Sequence, residues 1–171
     1  MNHAITKKQK NSRLCFVCGL SNDFGLKASF YETNSGELVA KIKPSELHQS
    51  YPGRMHGGVA AAILDETIGR AISIGRDDDV WGVTVELTTK YRKPVPLDRD
   101  LWIVGRVNKE GSHFFEGSGE IVLENGDVAV SASGRYLKVP IDKITDSPMD
   151  DTDWFDNPDP KDPTDMEIPG R

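Results

Sequence analysis

The sequence predicts an α+β domain, in which a curled antiparallel sheet of about six strands wraps around one central helix. Three observations predict it. Two short alternating segments come before residues 57–74, and four longer, β-branched segments follow. Residues 57–74 between them repeat with a helical period. Alternation buries every second side chain on one sheet face, whereas the 3.6-residue period draws an apolar stripe along a helix. The expected organisation is an N-terminal arm with a CxxC turn over residues 1–25, a core domain over 26–140 and a tail over 141–171.

The elements follow in order. Leu26–Glu32 (LKASFYE) and Glu37–Lys43 (ELVAKIK) alternate apolar and polar residues. The turn residues Thr33-Asn34-Ser35-Gly36 join them as a hairpin. Pro44 stops the second strand, and a polar loop with a second break at Pro52-Gly53 runs to residue 56. In the helix, Val59, Ala62, Ile63 and Glu66 share one helical spacing, and Ala61, Asp65, Ile68 and Ile72 share another. The helix is small and apolar nearly all round, so it should be buried on most sides. Gly75 ends it. Trp81–Arg92, Leu101–Lys109, His113–Leu123 and Asp127–Val139 then read as four strands. Short turns such as Glu110-Gly111 and Asn125-Gly126 suggest that they form an antiparallel meander.

Length and composition narrow the functional classes. The chain has 171 residues, 37% of them apolar, enough for one core. No apolar run approaches the roughly 18–20 residues of a membrane helix. The charged N-terminus lacks the apolar stretch of a secretory signal, so a cytoplasmic protein is expected. The net charge is −6, yet residues 142–171 alone hold ten acids against three bases. Half of the ten prolines, Pro148 among them, also lie there. Such a segment reads as disordered or loosely docked, with Trp154 and Phe155 as its only aromatic anchors. The rest of the chain is close to neutral and shows no basic stripe, so neither a nucleic acid nor a membrane is expected as a partner.

Several residues suit acyl-transfer chemistry. The amides of Gly57 and Gly58 open the helix, where N–H groups lack intrahelical partners and the macrodipole is positive. Such donors stabilise an oxyanion. Asp65 lies seven residues beyond Gly58 and so shares its face, interrupting an otherwise apolar run. The expected geometry therefore aims the amide tip and the Asp65 carboxylate at one bound carbonyl. Glu66 lies about 100° around the helix from Asp65. His56 precedes the glycines and can orient the loop or bond a backbone group. Lys90, Arg92 and Lys93 gather at a strand end, where cations suit phosphates. Cys15 and Cys18 supply two of the four ligands that a structural zinc site needs. A symmetry mate's pair or His3 would have to complete such a site, so they are read as reduced structural thiols and no metal is assigned.

The motifs CFVCG, HGGVAAAILDETIG and TVELTTKYRKPVPL carry a family resemblance over residues 14–139. The chain resembles the PaaI-type branch of the hot-dog-fold acyl-CoA thioesterases, the thioesterase-superfamily members with an HGG motif. The resemblance implies hydrolysis of an acyl-CoA to free acid and CoA without a cofactor. It places the catalytic acid at Asp65, as nucleophile or general base, with Glu66 as runner-up and His56 in support. It also implies a water- or carboxylate-holding hydroxyl at Thr84 and a coenzyme A contact near Lys90, Arg92 and Lys93. Some relatives place an amide side chain before the HGG motif, which suggests Gln49, although HQSY here departs from their pattern. The exposed sheet edge implies a homodimer, or a dimer of dimers, with Asp65 from one protomer and Thr84 from the other. Two other readings fit the same motifs. One is a hot-dog hydratase or dehydratase pairing His56 with Asp65 or Glu66. The other is a non-catalytic acyl-CoA-binding module with the acidic tail as its interaction arm.

Overall fold

The computed structural model describes residues 2–76, 80–147 and 149–171, so Pro148 of the acidic segment lies outside the described residues. Among the described residues, ten strands and one α-helix follow in chain order. They are β1 (Asn2–Lys8), β2 (Asn11–Ser12), β3 (Ser29–Thr33), β4 (Leu38–Ile42), α1 (Gly57–Arg70), β5 (Trp81–Tyr91), β6 (Leu101–Glu110), β7 (Phe114–Val122), β8 (Val128–Val139), β9 (Trp154–Phe155) and β10 (Asp165–Glu167). Eight strands form one sheet in the order β10-β1-β3-β4-β6-β7-β8-β5, and β2 pairs with β9. The sheet is antiparallel and open, and α1 packs against β4 to β8. One helix on such a sheet is the hot-dog arrangement.

The four late strands are not a simple meander. β6, β7 and β8 are consecutive neighbours, but β5 pairs with β8, from Trp81↔Val139 to Tyr91↔Val130. The segment between β5 and β6 explains this. Pro94 and Pro96 lack the amide hydrogens that a ladder uses. The Met55 N–H instead donates to the Val95 carbonyl, and the Leu97 N–H to the Gly53 carbonyl. The segment therefore runs beside the loop that leads into α1, and places β6 next to β4.

The buried face of α1 comprises Ala60, Ile63, Leu64, Thr67 and Ile68. The small residues that permit its close approach lie on the sheet as well as on the helix. A Cβ at Gly105 would sit 2.7 Å from the Thr67 carbonyl oxygen, and one at Gly117 would sit 2.5 Å from Ile68 Cγ2. Both distances are below ordinary contact, so only glycine fits without movement.

Residues 1–25 do more than form an arm, since β1 enters the sheet between β3 and β10. The acidic segment is also attached where a loose tail was expected. β10 pairs with β1, Met166 and Ile168 are buried on the outer sheet face, and Trp154 packs against the main core. Lys8 and the Tyr31 hydroxyl each bond Asp162 at 2.8 Å. Beyond the Trp154 anchor, average composition hides two apolar anchors, Met166 and Ile168, and a strand that pairs with β1. Among the described residues, no helix is long and apolar enough to cross a membrane.

Candidate active site

His56 caps α1. Its Nδ1 accepts a hydrogen bond from the Gly58 N–H at 2.9 Å, and its carbonyl accepts from the Val59 and Ala60 N–H groups. The Gly58 amide, expected as an oxyanion donor, is therefore already satisfied. The Gly57 N–H has no acceptor among the described residues, so the donor role narrows to Gly57. Tyr91 stands over it and donates its hydroxyl to the Gly57 carbonyl at 2.7 Å. A cavity of about 520 Å³ opens here, with Arg54, Arg92 and Lys93 in its wall. Lys90 is not in that wall. Lys93 also pairs with Asp127 at 2.5 Å. Gln49 is exposed, and its Oε1 accepts from the Gly53 N–H at 2.9 Å, which ties it to its own loop rather than to the helix tip.

Asp65 sits two turns along the helix, in the wall of a different cavity of about 380 Å³ that Thr84, Trp81 and Trp154 also line. Thr84 Oγ1 donates to the Asp65 carboxylate, 2.8 Å from Oδ1 and 3.1 Å from Oδ2. The Tyr136 hydroxyl lies 3.1 Å from the same Oδ1. Tyr136 is fully buried and stacked on Phe115 at 4.9 Å. Burial, reinforced by the Asp65 charge, pushes its phenol well above its ordinary range, so it remains a proton donor. Space for this ring comes from Gly134, where a Cβ would fall 2.6 Å from Tyr136 Cε2. A half-buried carboxylate held by two hydroxyls and open to a cavity can accept a proton or attack an electrophilic carbon.

Three expectations change. Thr84 lies beside Asp65 of its own chain, because β5 runs along α1. Glu66 turns away from Thr84, accepting from Arg70 Nε at 2.9 Å and from the Cys15 thiol at 3.1 Å. The shared face of Gly57, Gly58 and Asp65 does not bring them to one carbonyl. Eight residues separate Gly57 from Asp65, about 12 Å of helix, and they open on different cavities. Periodicity reports direction around a helix, not distance along it. Tyr136, Tyr91 and Arg54 escaped the sequence reading. Tyr136 looks like any inward strand residue, and nothing in the spacing marks the other two.

The sequence profile of the thioesterase superfamily matches residues 52–130, which span the helix, β5 and the proline-rich crossing. Over these residues the chain is similar to the thioesterase superfamily. The chain is 27% identical to human acyl-coenzyme A thioesterase 13 over 111 residues, covering 65% of the chain and 74% of that protein. A solved thioesterase-superfamily protein superposes with a TM-score of 0.67 at 28% identity, covering 73% of this chain and 60% of its own. A hypothetical thioesterase from Streptococcus pneumoniae TIGR4, solved with coenzyme A, superposes at 0.56 with 25% identity, covering 61% and 82%. The matched region holds Asp65, Thr84 and part of the wall of each cavity, and the acidic segment lies beyond it.

Proposed function

We propose that the chain hydrolyses acyl-CoA thioesters to the free acid and coenzyme A, in a site completed by a second copy of the chain. The observation that carries this reading is the Asp65 carboxylate, fixed by the Thr84 and Tyr136 hydroxyls at a cavity wall. In this reading Asp65 attacks the thioester carbonyl or draws a proton from water, and both routes need the same placement. Thr84 keeps the carboxylate oriented. His56 supports the glycine loop by holding the Gly58 amide. The oxyanion is met by a Gly57 amide, with the helix dipole behind it.

One helix cannot supply both groups to one carbonyl, so the Gly57 amide belongs to the neighbouring copy. The sheet supports such pairing. β5 forms one of its two edges, and Val83 and Val85 on it are 37% and 55% exposed. An unpaired apolar edge invites a matching edge. A homodimer joined there is the minimal active unit, and two dimers can pair again. Arg54, Arg92 and Lys93 beside Gly57 suit the phosphates of coenzyme A, Arg through its planar fork of donors. The closely spaced free thiols of Cys15 and Cys18 fit a reducing compartment, which supports a cytoplasmic protein.

Thiol release from a panel of acyl-CoAs tests the reading. The wild-type chain should liberate CoA, and Asp65→Asn should lower turnover on the order of 10²–10⁴-fold with the fold intact. Full turnover by Asp65→Asn would remove Asp65 from the role.

A further inference from the structure

The CxxC pair lies in the wall of the cavity that holds Asp65. The Gly19 N–H donates to the Cys15 carbonyl at 2.8 Å, closing a single helical turn. Asn11, fully buried, holds this turn with Nδ2–H bonds of 2.9 Å to the Cys18 carbonyl and 2.8 Å to the Ala28 carbonyl. Glu66, 51 residues away in sequence, reaches the same place from α1. Cys15 Sγ, Cys18 Sγ and a Glu66 carboxylate oxygen all lie within 4.8 Å of one another. The sequence offered two metal-ligand atoms, and the fold adds a third.

We propose that Cys15, Cys18 and Glu66 bind one divalent cation of the zinc class, with the fourth coordination position facing the Asp65 cavity. Two thiolates and a carboxylate match the ligand preferences of Zn2+, and the sulfurs disfavour Mg2+ and Ca2+. Charge favours the same occupant. Arg70 donates Nε–H to Glu66 Oε1 at 2.9 Å and Nη2–H to Cys18 Sγ at 3.0 Å. The guanidinium is sandwiched 4.5 Å from each of the Phe30 and Trp154 rings. With both thiols protonated, Arg70 and Glu66 cancel. Removing both protons leaves two negative charges, which one divalent ion neutralises. A divalent cation displaces the thiol protons on binding. Arg70 then acts as an outer hydrogen-bond donor that orients both a sulfur and the carboxylate.

Co2+ titration of the full chain, reduced and chelator-treated, reads this site directly. The expected result is a near-ultraviolet thiolate-to-cobalt band that saturates at one ion per chain. Zn2+ should displace it and Mg2+ should not. Cys15→Ser and Cys18→Ser should each diminish the band, Glu66→Gln should weaken binding, and affinity should fall as pH falls because protons compete for the sulfurs. Circular dichroism confirms that each variant is folded, and the wild-type titration stands without them. Cobalt binding without the thiolate band would overturn the proposal, and so would unchanged Zn2+ affinity in the double serine variant. These readouts involve no thioester turnover, so they succeed or fail independently of the hydrolase reading.

Discussion

Thr84 Oγ1 lies within 3.1 Å of both carboxylate oxygens of Asp65, so a single hydroxyl hydrogen spans the carboxylate. With Tyr136 donating from the buried side, Asp65 has little rotational freedom and presents a fixed face to the cavity. Positioning of this kind loses most of its effect when the geometry loosens by about 1 Å.

Thr84→Ala should therefore lower kcat far more than it raises KM, and Thr84→Ser should restore much of it, because only the hydroxyl is required. Tyr136→Phe should lower kcat as well while leaving thermal stability nearly unchanged, since the ring still stacks on Phe115. Steady-state kinetics with one acyl-CoA and a melting curve check both. A loss in Thr84→Ala that appears only in KM would contradict the positioning role.

The pairing edge makes a separate prediction. Val85→Lys places a charge on the exposed edge of β5, a device that blocks edge-to-edge association. Sedimentation should show a monomer, and turnover should collapse even though Asp65, Thr84 and Tyr136 remain in place. An active monomer would show that one chain suffices.

The helix–sheet contact predicts a stability effect. Gly117→Ala forces a Cβ against Ile68 Cγ2 and the Arg106 carbonyl. Overpacking of this kind costs about 1–3 kcal/mol. Urea unfolding should show a lower midpoint with an unchanged slope, and Gly36→Ala, where no atom lies within 4 Å, would act through backbone strain alone at its φ of +76°.

Glu110 supplies a pH dependence. Arg76, and then Lys138, hold its carboxyl at about 2, below the ordinary 4.5. A carboxylate with a depressed folded-state pKa contributes stability above its unfolded value. That contribution is lost as pH falls from about 4.5 through about 2. Glu110→Gln should therefore be less stable than wild type at neutral pH, and the gap should narrow through this window. Chemical denaturation at a series of pH values measures it; a gap independent of pH would exclude the ion pair as its source. The group is largely solvent-exposed, so the effect should shrink with salt.

Periodicity alone marked a helix over residues 57–74, of which 57–70 are α-helical, the strands on either side of it and the position of Asp65 within an apolar run. Those features depend on residues close in sequence. Motif chemistry also marked the HGG tip and Thr84, although as members of different protomers. What only the tertiary structure decided was which groups meet. The crossing of β5 to β8 sets Thr84 against Asp65, Gly134 admits Tyr136, and the rise along α1 separates Gly57 from the carboxylate it was expected to serve. Glu66 reaches Cys15 across 51 residues for the same reason. Local pattern encodes the direction in which a side chain points, and long-range packing sets what lies at the end of it.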